Sequence, residues 1–281
     1  MPILDLKCQQ PDFAAVFPRS VPDGEKAGYS MRRKGALLLG WRTGPLEGSL
    51  REAAQQLYTD LFAATEGLHL YRIWNQVPGI NETPSATGLE NYRSFSAGRA
   101  EAFGQRFGSD FSAMLPAASA VGTDAEELTV AFVAGPEAPR HCENPEQVPA
   151  YRYPPEHGPR PPSFARATSV AVEGTRYVFI SGTAAIKGHH TVAPESLSRQ
   201  IDCTLDNLRL VSTAAGAGPD LGRGAWRRMF RIYLRSASDR AAVEAALQAA
   251  LLHPEDRVEW RHAALCRSAL KVEIESTLVA E

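Results

Sequence analysis

The chain has 281 residues, 44% of them hydrophobic and 22% charged, the profile of a soluble globular protein with room for two ordinary domains. A formal net charge of −2 gives no electrostatic case for nucleic acid or an anionic membrane, and no apolar run approaches the length that spans a bilayer. Four scattered cysteines, Cys8, Cys142, Cys203 and Cys266, form neither a C-x-x-C metal pattern nor a small disulfide scaffold, and the N-terminus lacks a basic-then-apolar signal, so reduced thiols and a cytoplasmic location are expected.

Residues 1–34 read as irregular, interrupted by Pro11, Pro18 and Pro22. A buried strand is expected over 36–41. A capping box at Ser49 and Glu52 then opens a helix to about Thr65, with Leu50, Ala53, Leu57, Leu61 and Ala64 at helical spacing. Residues 68–74 read as a second strand, 75–81 as a loop, and a helix starting near Leu89 carries Tyr92, Phe95, Phe103 and Phe107; 127–134 is a third strand. Nine prolines between Pro136 and Pro162 exclude helix and central strand. That segment marks a boundary, yet its Tyr151, Arg152, Tyr153, His157 and Arg160 suggest packing over a site.

The second half opens with a hairpin, 165–172 and 176–181, turning at Glu173-Gly174. A helix from Pro194-Glu195 shows Leu197, Ile201, Leu205 and Leu208 on one face and ends at Gly216. A strand over 226–235 and a helix capped by Ser238 lead to two strands, 257–266 and 269–278, that can pair as a hairpin. Strands and helices in alternation also fit a parallel α/β sheet. The bracketing hairpins favour α+β, with an N-terminal domain over 1–150 and a C-terminal domain over 151–281.

The last strand carries the most suggestive chemistry. Side chains alternate along a strand, so Leu270, Val272, Ile274 and Leu278 share one face and Lys271, Glu273, Glu275 and Thr277 the other. Such an acidic pair is ordinarily a solvated surface. Arg231, Tyr233 and Arg235 show the same alternation on an earlier strand, and Arg166, Arg261, Tyr151 and Tyr153 add further candidates. Arginine binds carboxylates bidentately without joining proton transfer, and a carboxylic acid whose pKa is raised by burial can protonate what is bound. The residues alone support a site for a small organic acid. The loop Gly216–Gly222 follows a helix and fails as a dinucleotide fingerprint, and His189-His190 lacks the spacing of a zinc pair.

Several separated stretches resemble the chorismatases: 72–81 (RIWNQVPGIN), 88–92 (GLENY), 98–103 (GRAEAF), 151–154 (YRYP), 158–167 (GPRPPSFARA), 179–184 (FISGTA) and 266–275 (CRSALKVEIE). The resemblance implies two Rid-like, chorismate-mutase-like α+β halves, the N-terminal one degenerate, with the active site in the C-terminal part. It also implies action on chorismate, without cofactor or metal, releasing pyruvate from the enolpyruvyl ether. The family's catalytic glutamate falls on Glu273. Cys266 stands where the 3-hydroxybenzoate-forming subgroup has a cysteine, and Gly182, Thr183 and Ala184 lie where subgroups differ. Arg166, Arg235 and, more weakly, Arg261 are expected to anchor carboxylates, with Tyr151 and Tyr233 bounding the ring. The favoured product is 3-hydroxybenzoate. Hydrolysis to a dihydroxycyclohexadiene carboxylate, Rid-type imine deamination and a binding protein without turnover are the alternatives. No nucleic-acid or membrane partner is expected, and the sequence leaves the oligomeric state open.

Overall fold

The computed structural model describes residues 4–5, 13–46 and 48–280; Cys8 and most of the N-terminal segment read above lie outside them. The first half contains β1 (Leu4–Asp5), α1 (Phe13–Val16), β2 (Val21–Lys26), β3 (Tyr29–Lys34), β4 (Leu37–Gly44), α2 (Leu50–Ala64), β5 (His69–Pro78), α3 (Asn91–Phe107), β6 (Ala117–Thr123) and β7 (Leu128–Gly135). The second contains β8 (Arg140–Cys142), β9 (Ala167–Val172), β10 (Thr175–Thr183), β11 (Ile186–Lys187), β12 (His190–Thr191), α4 (Leu197–Ala215), β13 (Arg227–Leu234), α5 (Arg240–Ala250), β14 (Arg257–His262) and β15 (Val272–Ala280).

The strands form a six-stranded sheet, β2-β3-β4-β7-β5-β6, and a seven-stranded sheet, β1-β14-β13-β15-β10-β9-β8. Within them β3-β4-β7-β5-β6 and β9-β10-β15-β13-β14 follow one topology, each with a single parallel pair, β5/β6 and β13/β14. The fold is α+β, built from two halves of like design.

Each helix pair covers the outer face of its own sheet. Ser49 and Glu52 form the reciprocal cap of α2, and the ring cluster of Tyr58, Phe62, Phe103 and Phe107 joins α2 to α3. The two helices cross closely at Gly98, where an added Cβ would sit 2.0 Å from the Arg51 carbonyl oxygen. Leu205, Leu208 and Val243 from α4 and α5 pack with Val272, Ile274 and Leu278 of β15. The inner faces of the sheets meet through Leu37, Leu39, Tyr71 and Val133 on one side and Val170, Val172, Tyr177 and Phe179 on the other. A strand central to either sheet is therefore covered on both faces, which removes the solvated reading of the Glu273 face.

Several elements differ from the sequence reading. Residues 21–34 are not irregular but form a hairpin, β2/β3, in which Pro22 sits on the edge strand, where a missing N–H costs least. β5 runs through Asn75, Gln76 and Val77 to Pro78 because β7 and β6 pair with it on both sides, and β6, rich in alanine, was not anticipated. The two C-terminal strands do not form a hairpin. β14 runs parallel to β13, and β15 inserts between β13 and β10, since a strand apolar on one face and buried on the other needs two neighbours. α4 opens after the cap Ser196 rather than at Pro194-Glu195, and α5 begins after Asp239 with no side-chain cap bond from Ser238.

Candidate active site

Between the sheets, the alternation of β15 turns Glu273 and Glu275 toward β5 and β6; both are under 5% exposed. They occupy different electrostatic settings. Glu275 accepts from Arg72 Nη2 at 2.6 Å, Ser119 Oγ at 2.6 Å, Trp74 Nε1 at 2.8 Å and Arg231 Nη1 at 2.9 Å. Arg231 in turn pairs with Glu259 at 2.6 Å, and Glu259 with Arg261. The result is an alternating file of five charges, Arg72–Glu275–Arg231–Glu259–Arg261, which repays desolvation by pairing every carboxylate with two guanidinium groups.

Glu273 has no such partners; among the described residues none hydrogen-bonds to its carboxyl. Burial pushes that carboxyl up to about 8, the charge of Glu275 adds to the rise, and Arg72 and Arg166 oppose it. At neutral pH Glu273 is therefore a carboxylic acid beside an ion-paired carboxylate. Two like groups, separated by one residue, are prepared for different tasks.

The approach of Glu273 depends on a bulge. Ile180 faces Ser276 and Thr183 faces Ile274, so β10 carries one extra residue at Ser181-Gly182. Bulges re-aim groups beside active sites; here the Gly182 N–H turns across the layer to donate to Ser119 Oγ at 2.8 Å. A Cβ at Gly182 would lie 1.9 Å from Glu273 Oε1, so only glycine leaves room for the acid.

Glu273 opens onto a cavity of about 290 Å³ walled by Tyr92, Tyr153, Phe164, Arg166, Gly182, Ala184, Cys266 and Arg267, with His157 toward its edge. Arg166 donates from Nη2 to Tyr153 at 2.7 Å and lies over the Phe164 ring at 5.0 Å, while its Nε has no partner. Arg267 holds the His189 carbonyl at 2.8 Å. A narrow recess of about 30 Å³ shares Glu273, Gly182, Cys266 and Tyr92 with the cavity and is also lined by Arg99. Arg99 is 3% exposed, stacks on Tyr58 and Phe103, and leaves Nε and Nη2 without partners. Cys266 is not the end of a strand but part of the turn after β14; burial and Glu273 push its thiol up to about 12, so it keeps its proton.

Of the anticipated residues, Glu273, Cys266, Arg166, Gly182 and Ala184 come together on this wall. The others sit elsewhere. Arg235 is a brace, donating to the carbonyls of Leu265, Arg267 and Leu270 and to Asn81, and so fixes the turn that carries Cys266 and Arg267. Arg261 closes the charge file through Glu259. Tyr233 is the register partner of Glu273 on β13, buried beside it, and is not on the cavity wall. Tyr151 lines a separate groove beside α3, and Thr183 turns back to the Ser181 carbonyl. The sequence reading passed over Tyr92, Arg99 and Arg267 although all three lie within the stretches quoted for the resemblance. For Arg99 the available signal was an arginine at helical spacing with Tyr92, Phe95 and Phe103.

An α+β protein with a neutral carboxyl facing an arginine-lined cavity is equipped to protonate a small organic anion. A family model described as chorismatase FkbO/Hyg5-like, N-terminal, matches residues 16–134. A 3-hydroxybenzoate synthase of Streptomyces hygroscopicus is 35% identical over 269 residues, 91% of this chain and 78% of that protein. A chorismatase of the same organism is 37% identical over 270 residues, 92% of this chain and 76% of that one. A crystal structure of a chorismatase matches with a TM-score of 0.80 at 34% identity, covering 92% of this chain and 78% of the other. The chain belongs to the chorismatase family.

Proposed function

We propose that the protein converts chorismate to 3-hydroxybenzoate and pyruvate, with Glu273 as the acid. The observation that carries this reading is the contrast between the two neighbouring carboxyls, Glu275 ion-paired and Glu273 raised to about 8 on the cavity wall. An enol ether is inert until its methylene carbon takes a proton. Glu273 supplies that proton, the resulting oxocarbenium-like centre loosens the bond between ether oxygen and ring, and pyruvate departs with that oxygen. The neighbouring C4 hydroxyl oxygen closes onto the vacated C3 and gives its proton to Glu273, now a carboxylate. The three-membered ring then opens at C4, and the C3 hydrogen passes as a proton to the oxygen, which leaves an aromatic ring with its hydroxyl at C3. The cycle closes without water.

Hydrolysis differs by the consumption of one water, so product choice rests on what stands beside the ring. The Cys266 thiol, protonated and weakly hydrogen-bonding, occupies that wall and favours the anhydrous route. Chorismate carries two carboxylates. Arg166 and Arg267 suit one, and Arg99, which lines the recess and leaves Nε and Nη2 without hydrogen-bond partners, suits the other. Tyr92, Tyr153 and Phe164 bound the ring between them.

The test is a chromatogram of purified protein with chorismate, paired with a pyruvate assay. Pyruvate and 3-hydroxybenzoate should appear in equal amounts, and Glu273→Gln should lower turnover by about 10²–10⁴-fold with an unchanged unfolding transition. A diene diol acid as main product contradicts the anhydrous route; wild-type turnover by Glu273→Gln contradicts the assignment of the acid.

A further inference from the structure

At the mouth of the cavity, away from the paired carboxyls, three side chains converge. Glu156 and His157 belong to the short 3-10 turn Pro155–His157, and His189 stands in the turn between β11 and β12. His157 Nε2 lies 3.0 Å from His189 Nδ1, and Glu156 Oε1 lies 3.4 Å from the first and 3.3 Å from the second. An imidazole–imidazole hydrogen bond accounts for the first separation, while the two to Glu156 are carboxylate–imidazole contacts that converge on the same point. A tetrahedral zinc ion with nitrogen and oxygen ligands at about 2.0–2.2 Å keeps its ligand atoms roughly 3.3–3.5 Å apart. The three atoms already outline one face of such a tetrahedron. Two histidines and a glutamate are also a donor set that binds zinc and leaves a fourth position for water.

The donors are held in place by their surroundings. The His157 ring lies against Tyr153 at 4.9 Å and the His189 ring against His190 at 3.8 Å. The β11–β12 turn is tied down where Gly188 donates to the Glu146 carbonyl and accepts from the Val148 N–H, and Arg267 grips the His189 carbonyl. The sequence reading saw only His189-His190 and found nothing to complete it; the completing ligands come from the proline-rich segment, some thirty residues earlier.

We propose that Glu156, His157 and His189 form a divalent transition-metal site, of the kind zinc occupies, that clamps the proline-rich segment to the β11–β12 turn at the cavity mouth. The ion holds the rim near Tyr153 and Arg267 and takes no part in proton transfer at Glu273.

Metal-stripped full-length protein, titrated with Zn²⁺ against a chromogenic chelator and with Co²⁺ by visible absorption, tests this without reference to chorismate. The wild type should take up a single equivalent, develop the absorption bands of a low-coordinate Co²⁺ complex, and melt at a higher temperature with zinc than without. His157→Ala combined with His189→Ala should weaken Zn²⁺ binding by at least about 100-fold, and Glu156→Gln, at an exposed side chain, by about 10-fold. Equal Zn²⁺ uptake by wild type and the double variant, or a Co²⁺ spectrum that survives both substitutions, overturns the site and assigns the binding elsewhere, such as to the cysteines.

Discussion

β7 and β15 occupy the same place in the two halves, each between a hairpin strand and the first strand of the parallel pair. β7 reads LTVAFVAG and is buried throughout without a charge; β15 reads VEIESTLVA and is buried almost throughout with two. Toward the opposite sheet β7 presents Ala131 and Val133, which face Trp74 and Arg72 on β5. Because the N-terminal strand carries no acid of its own, Trp74 and Arg72 reach across the layer to Glu275. Within the C-terminal sheet, Arg231 meets the same carboxylate from its register partner position. The two halves thus combine into one site: the half whose central strand carries no acid supplies the cation that pairs with Glu275, and burial between the sheets keeps Glu273 neutral.

The largest effect expected from breaking this arrangement is on stability. Arg72→Met leaves Glu275 buried with half of its charge pairing gone, and should cost about 3–5 kcal/mol in urea unfolding. A loss near zero would mean that the cross-sheet pair is dispensable. Gly182→Ala should lower kcat by about 10²-fold, the scale of a misplacement of roughly 1 Å, with far less effect on unfolding, because the new methyl displaces the Glu273 carboxyl. Unchanged kcat would show that the close approach does not matter. Arg99→Met is expected to act with opposite signs on two readouts. Removing a buried guanidinium whose Nε and Nη2 lack hydrogen-bond partners should leave the free protein as stable or more so by about 1 kcal/mol, while KM for chorismate should rise about tenfold or more. Loss of stability together with unchanged KM would assign Arg99 to the core.

Much of the architecture was legible because both sequence periods are strong. The capping box at Ser49, the helical faces of α2 and α4, and the β9/β10 hairpin all follow from local patterns that the tertiary structure reinforces. What local patterns could not convey was which strands are neighbours. β14 and β15 adjoin in sequence and are separated by β13 in the sheet, while β6 and the extension of β5 owe their existence to pairing partners far along the chain. The site shows the same limit. Glu273 was identifiable as an acid on an alternating strand, but its neutrality depends on burial between the sheets and on the charge of Glu275 beside it, and the covering strands β5 and β6 lie about two hundred and a hundred and fifty residues away. Arg235 looked like an anchor because it shares a strand face with Arg231. Its guanidinium instead spends its donors on the backbone of the 265–270 turn, a use no pattern of residue types reveals.

The protonation state of Glu273 is the central claim, and a carbon-13 titration of side-chain-labelled glutamate observes it directly. The resonance present in the wild type and missing from Glu273→Gln should titrate near 8, where burial sets the folded pKa. Because that value lies above the unfolded one, the stability Glu273 contributes is full below the ordinary carboxylate range and is lost as pH rises through about 8; turnover should fall over the same limb as the proton leaves. A Glu273 carboxyl already ionised in the ordinary range near about 4.3 would contradict the account.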